Sequence, residues 1–170
     1  FERDLEQWII CTGAVVSVHT YIVPEIVDGR PVWATNAEAE KLIRPPEGTK
    51  MLLLGEEFGR ALGYFQPAPG TKMLRMQLGY LERDIEYLQG RPEEELKGFS
   101  VEIVTRTERR LVADFDDLPK VETPAEWTGF GTLEIELPEG AEEGFWLDIQ
   151  TKPEPPFAIP TLLVDDIQLL

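Results

Sequence analysis

Met73-Leu74-Arg75-Met76-Gln77-Leu78-Gly79-Tyr80-Leu81 places Leu74, Met76, Leu78 and Tyr80 on one face and Arg75 and Gln77 on the other. A period of two belongs to an extended strand, whose successive side chains point to opposite sides of a sheet. The same period governs Phe99–Thr107, where Phe99, Val101 and Ile103 oppose Ser100, Glu102 and Arg106. It returns at Thr132–Leu137, with Leu133, Ile135 and Leu137 opposing Glu134 and Glu136, and again at Phe145–Gln150. Strand-like runs at 14–22, 50–55, 60–66 and 161–170 complete the set, with Gly or Pro between them at short intervals, as at Pro67-Ala68-Pro69-Gly70. Short strands with one dry and one wet face predict an all-β chain, folded as an antiparallel β-sandwich of the jelly-roll kind. No linker, repeat or low-complexity tract divides residues 1–170, which read as one domain. The charged stretch Glu82–Lys97 breaks the pattern and reads as a loop inserted on the sandwich.

Composition narrows the partners. A net charge of −16 repels phosphate backbones and anionic membrane surfaces, because both are bound through Lys and Arg. No apolar run reaches the roughly 20 residues of a spanning helix, so membrane insertion is not expected. The chain opens at Phe1 in strand-like sequence, without a basic segment leading into an apolar one, and reads as a mature domain or a module of a larger protein. The single cysteine, Cys11, rules out an internal disulfide and a Cys-rich metal site.

Catalytic patterns are sparse. Ser17 and Ser100 are the only serines and His19 the only histidine, with no Gly-x-Ser-x-Gly elbow, so a Ser/His triad is not expected. One His and one Cys cannot supply a zinc site, and no phosphate-cradling glycine loop is present. Glu134-Ile135-Glu136 followed by Glu139 superficially resembles the acidic strand of laminarinase-like glycoside hydrolases, which need two carboxylates at a set separation. The middle acid differs, Pro138 interrupts the strand, and alternating Glu is what a solvated strand face carries anyway. Asp114, Asp116 and Asp117 cluster locally, but Pro119 stands where a calcium loop needs glycine, so they read as a turn. Asp165-Asp166 differs because it interrupts an apolar strand. Asp165 is expected to share a face with Ile167 and Leu169, and a buried carboxylate demands a cation or strong donors.

The ending Leu163-Val164-Asp165-Asp166-Ile167-Gln168-Leu169 resembles the last strand of jelly-roll carbohydrate-binding modules of the family 4/9/22 type, within the galactose-binding-like superfamily. Phe1-Glu2 with Trp8 resembles the opening of those modules. Pro46-Glu47-Gly48-Thr49-Lys50-Met51-Leu52-Leu53-Leu54-Gly55 resembles their Pro-x-Gly segment and leucine-rich strand, and Gln66 with Pro69-Gly70 the turn that follows. These pieces occur in the family's order across the whole chain, whereas the 82–97 insertion and the scarcity of Asn and Ser depart from it.

The resemblance implies a non-catalytic sugar-binding domain of a secreted or cell-surface protein, stabilised by calcium. By position, Glu2 and Asp165 become the side-chain ligands and the backbone carbonyl near Lys50 a further donor. It also assigns Trp8 to the core. Sugars are read by aromatic rings against pyranose faces, with polar side chains on the hydroxyls. Trp146 is the platform candidate, because Phe145, Leu147 and Ile149 form the apolar set and leave Trp146, Asp148 and Gln150 opposite. Trp33 and Trp127 fall in loop-like segments and are candidate rims. A protein-interaction or adhesion domain is the alternative reading, and a small hydrolase using Glu134 and Glu139 is the third.

Overall fold

A computed structural model describes residues 1, 8–22, 25–28, 30–32, 42–81, 98–118, 128–151 and 161–170. Its strands are β1 (Trp8–Val18), β2 (Tyr21–Ile22), β3 (Glu25–Val27), β4 (Arg30–Val32), β5 (Leu42–Ile43) and β6 (Met51–Phe65). They continue with β7 (Met73–Leu81), β8 (Phe99–Val104), β9 (Arg109–Asp114), β10 (Gly131–Glu136), β11 (Phe145–Thr151) and β12 (Thr161–Leu169). Short 3-10 turns at Phe115–Asp117 and Ala141–Glu143 interrupt them. The anticipated all-β sandwich is the observed architecture.

Hydrogen bonding runs in the order β10-β7-β12-β6-β11-β8-β9, with β1 against β6. The long strand β6 belongs to both layers of the sandwich. Its first part pairs β12 (Leu52↔Val164) and β1 (Leu54↔Val15), and its last part pairs β11 (Leu62↔Asp148) and β1 (Leu62↔Ile9). The sequence reads as two runs, 50–55 and 60–66, whereas the backbone is one strand turning a corner between them. Thr151 fixes that corner: its buried hydroxyl accepts from the Gly59 N–H at 2.9 Å and bonds the Gly59 carbonyl at 3.3 Å.

Between the layers, the alternating faces meet. Leu74, Met76, Leu78 and Tyr80 of β7 pack in one cluster with Phe99, Val101 and Ile103 of β8, Phe145, Leu147 and Ile149 of β11, and Leu162 and Val164 of β12. Tyr80 stacks edge-on to Phe115 at 4.8 Å, and Phe65 stacks on Phe145 at 5.6 Å. Trp8 packs against this core with Phe1 at 5.5 Å and Phe65 at 6.1 Å, the structural place the resemblance gives it. A Cβ at Gly63 would stand 3.0 Å from the Trp8 ring, so glycine there allows the indole to lie on β6.

The outer faces of the layers differ. That of β6, β12 and β7 is partly covered: Ile43 of β5 joins Met51, Leu53 and Leu163 in a second small cluster, with Val18 and Phe130 against it. The remainder is polar, with Arg75 bonded to Glu134 and Gln77 to Thr132 across β7 and β10. The outer face of β6, β11, β8 and β9 carries the largest exposed aromatic among the described residues, Tyr64.

Two local readings change. Arg109–Asp114 forms the edge strand β9, unread in the sequence because Arg109, Arg110 and Leu111 are all exposed and show no alternation. Asp165 does not share a face with Ile167 and Leu169. It pairs with Gln77 on the outer side, and a bulge between Asp165 and Gln168, with Asp166 at φ 47°, shifts the parity so that Ile167 and Leu169 turn to the core. An inserted residue in one strand reverses the alternation after it. The Glu82–Lys97 insertion lies outside the described residues.

Candidate functional site

Register fixes which side chains share the outer face of the second layer, since directly paired residues lie side by side on one surface. Tyr64, Trp146, Val104 and Arg109 make one row across β6, β11, β8 and β9. Ile9, Leu62, Asp148, Glu102 and Leu111 make the next, starting from β1. Arg60, Gln150, Ser100 and Asp114 make the third. Trp146, Asp148 and Gln150 therefore do share one surface.

At one end of this surface the rings of Tyr64 and Trp146 sit 5.2 Å apart, inclined at 58°. Tyr64 is 45% exposed and Trp146 half-buried. The Tyr64 hydroxyl donates to Gln66 Oε1 at 3.2 Å, and Gln66 Nε2 donates to the Glu142 carbonyl at 3.4 Å. The ring also needs Gly144, whose φ of 105° favours glycine, because a Cβ there would fall 2.1 Å from the Tyr64 hydroxyl.

Asp148 occupies the middle. Its side chain is wholly buried, and Arg60 grips it with two parallel bonds, Nε to Oδ1 at 2.8 Å and Nη2 to Oδ2 at 2.6 Å. Arg109 reaches in from β9 and donates Nη1 to the same Oδ2 at 3.0 Å and to Glu102 Oε2. Burial alone would lower the Arg109 guanidinium, but hydrogen bonds to Glu102 and Asp148 outweigh it and raise it above its ordinary value. The two guanidinium-bearing side chains remain 35% and 49% exposed, whereas their carboxylates lie beneath them. Gln150 Nε2 donates to the buried Ser100 hydroxyl at 3.0 Å, leaving the amide oxygen at the third row.

This surface therefore presents the Tyr64 ring with the half-buried Trp146, the Arg60 and Arg109 side chains, the partly exposed Gln150 amide, and the exposed apolar Ile9 and Leu111. Asp148 lies under the arginines that hold it. Tyr64, Arg60 and Arg109 are functional candidates that the sequence alone did not single out. Arg106 of the β8–β9 turn instead pairs with Glu143 at 3.2 Å, both well exposed. Trp33 and Trp127 lie outside the described residues.

The second implied site is at the start of β6 and the bulge of β12. Asp165 is buried, and its Oδ2 accepts the Glu47 N–H at 3.0 Å. Burial raises the Asp165 carboxyl above its ordinary value, against the lowering effect of backbone hydrogen bonds from Glu47 and Asp166. The exposed Glu47 carboxyl is also raised, first by a hydrogen bond with Asp166 and then by the neighbouring charge. Gln168 donates to Asp166 at 2.5 Å, and His19 Nδ1 contacts the Thr49 carbonyl at 3.0 Å beside the half-buried Lys50. Among the described residues no three His, Cys, Asp or Glu side chains converge as a metal-binding group. Glu2 lies outside the described residues.

The acidic set Glu134, Glu136 and Glu139 is elsewhere. Glu134 is ion-paired with Arg75 at 2.9 Å on the other layer, while Glu136 and Glu139 border an open pocket of about 220 Å³ with Lys72 and Glu142.

No family model matches the sequence, and no curated protein matches it. Solved structures are similar to this chain over most of its length. One is the carbohydrate-binding module TmCBM61 in complex with β-1,4-galactotriose, at 12% identity and a TM-score of 0.50, covering 98% of this chain and 90% of that one. A Caldicellulosiruptor saccharolyticus module, CBM27-1 with mannohexaose, aligns at 10% identity and a TM-score of 0.49, covering 98% and 91%. The K2 cleaved adhesin domain of Lys-gingipain aligns at 10% identity and 0.46, covering 96% and 88%. At 12% identity the likeness to TmCBM61 is one of fold, the jelly roll that the sequence resemblance implies.

Proposed function

We propose that this chain is a non-catalytic carbohydrate-binding module that takes its ligand on the outer face of β6, β11, β8 and β9. The observation that carries the reading is the Tyr64–Trp146 pair, at one end of a face that also carries Arg60, Arg109 and Gln150 beside the apolar Ile9 and Leu111. A sugar ring offers an apolar C–H face and a rim of hydroxyls. Aromatic surface buries the first, while Arg60, Arg109 and Gln150 donate to or accept from the second. The opposite outer face offers no such pairing among the described residues, since its apolar part is covered by β5 and its polar part is bonded to itself. The likeness in fold to the carbohydrate-binding module TmCBM61 supports the reading, and a secreted or cell-surface setting belongs to the same proposal.

Calcium belongs to the same proposal as a stabilising ion. Asp165 suits the role, being a buried carboxylate held above its usual pKa with a backbone N–H as its described donor. Glu2 and the carbonyl near Lys50 would complete the set.

The deciding experiment is a glycan array in millimolar calcium with Trp146→Ala alongside. Selective binding lost in the variant supports the reading. A blank array overturns it, and binding unchanged in the variant removes Trp146 as the platform.

A further inference from the structure

Two loops cross between the layers at the Tyr64 end of the sandwich. Residues 66–72 lead from Phe65 of β6 to Met73 of β7, and residues 137–144 lead from Glu136 of β10 to Phe145 of β11. Their ends are paired strand to strand, Phe65 with Phe145 and Met73 with Glu136, so the loops run side by side. The Leu137 N–H donates to the Lys72 carbonyl at 2.8 Å, which ties one loop to the other. Between them lies a pocket of about 220 Å³. Leu137 and the buried Pro138 and Ala141 supply its apolar lining. Thr71, Lys72, Glu136, Glu139 and Glu142 supply its polar lining.

The pocket adjoins the aromatic pair through one side chain. Gln66 accepts from the Tyr64 hydroxyl at 3.2 Å and donates to the carbonyl of Glu142, a residue of the pocket, at 3.4 Å. Lys72 lines the same space as three carboxylates, yet among the described residues none of these four side chains forms an ion pair or a hydrogen bond. An ammonium only donates and a carboxylate only accepts. A lining that offers both to one space fits a group that can do both, as a sugar hydroxyl does, and the apolar lining fits the C–H face of the ring. Water takes ~30 Å³ per molecule, so the pocket holds the volume of about seven waters, room for one sugar ring rather than a run of them.

We propose that this pocket is a chain-end subsite, taking the terminal sugar of a neutral glycan whose next residue lies on Tyr64 and Trp146, with Lys72 and Glu139 on its hydroxyls. The proposal rests on the sugar-binding reading of the Tyr64–Trp146 face. A chain that reaches the pocket from the platform ends between the two loops, whereas the sheet face alone would let a chain pass. Carboxylates outnumber the ammonium in the lining, so a uronate terminus is repelled.

The test counts protein molecules bound per glycan chain by isothermal titration. The probes are tetrasaccharides and longer soluble fragments of linear β-1,4-galactan, mannan and xylan, and of any other neutral glycan that the array selects. A chain-end subsite saturates at one protein per chain at every length, whereas a face that binds internal residues takes more protein as the chain lengthens. Lys72→Met/Glu139→Gln removes two charges and leaves the backbone bonds of Lys72 in place. It should lose at least tenfold on the tetrasaccharide while melting with the wild type. Thr71→Phe fills the pocket and should lose as much, and it decides the matter should the double variant fail to fold.

More than one protein per chain on the longer fragments, or full affinity in either folded variant, overturns the inference and leaves the sugar-binding reading standing. So does a wild type that binds anionic glycans alone. A wild type that binds no glycan removes both.

Discussion

Tyr64 leans on Trp146 with ring centroids 5.2 Å apart, and it can do so because Gly144 leaves room for its hydroxyl. The proposed platform is thus made by three residues, two of them aromatic and one with no side chain.

Trp146→Ala and Tyr64→Ala should each weaken glycan binding at least tenfold, equivalent to about 1.4 kcal/mol. Gly144→Ala should do the same without removing an aromatic, because the new methyl displaces the Tyr64 ring. Its positive φ adds about 1–3 kcal/mol of destabilisation. Isothermal titration of the three variants against the array hit checks this; full affinity in Gly144→Ala would show that Tyr64 is not part of the platform.

Asp165 gives a pH dependence whose sign follows from its raised pKa. A carboxyl that holds its proton more tightly when folded destabilises the fold as pH rises from its unfolded value through its folded one, and the deficit is complete above the folded value. In chelator, Asp165→Asn should therefore melt above the wild type at pH 7, and the gap should narrow towards pH 4. In millimolar calcium the order should invert, since bound ion stabilises the wild type alone. Melting curves at both pH values with EDTA or calcium read this directly; the same order in every buffer would count against calcium at Asp165.

The corner of β6 is open to a separate check. Thr151→Val keeps shape and leaves the buried Gly59 N–H unpaired, at a cost of about 1–3 kcal/mol. Urea denaturation is the measurement, and a change below about 0.5 kcal/mol would show that the threonine does not hold the corner.

Phe115 tests the core from an unexpected place, a 3-10 turn rather than a strand. It is fully buried against Tyr80 and Phe99, under the cap that Asp114 makes with the Asp116 and Asp117 segment. Phe115→Ala should cost about 3–5 kcal/mol, whereas Asp116→Ala on the exposed side should cost little.

Alternation alone carried the sequence a long way. Leu74, Met76, Leu78 and Tyr80, like Phe145, Leu147 and Ile149, are buried as their period of two requires, and Trp146, Asp148 and Gln150 fall together on the reverse face. Those are local facts, because the pleat assigns neighbours in the chain to opposite sides before any partner strand is known. The dry faces also fixed the fold class, since two such sheets bury them best against each other.

Tertiary structure decided the rest. Arg60 and Asp148 lie 88 residues apart, and only the pairing of β6 with β11 brings them together. Arg109 entered the site through β9, an edge strand whose exposed residues carry no hydrophobic period. The bulge at Asp165 reversed a parity that the sequence could only extrapolate, because one extra residue leaves composition unchanged and swaps the faces. The sequence thus determined which side chains are dry and which are wet. Strand order and register, set by non-local hydrogen bonding, determined which wet side chains meet to form a site.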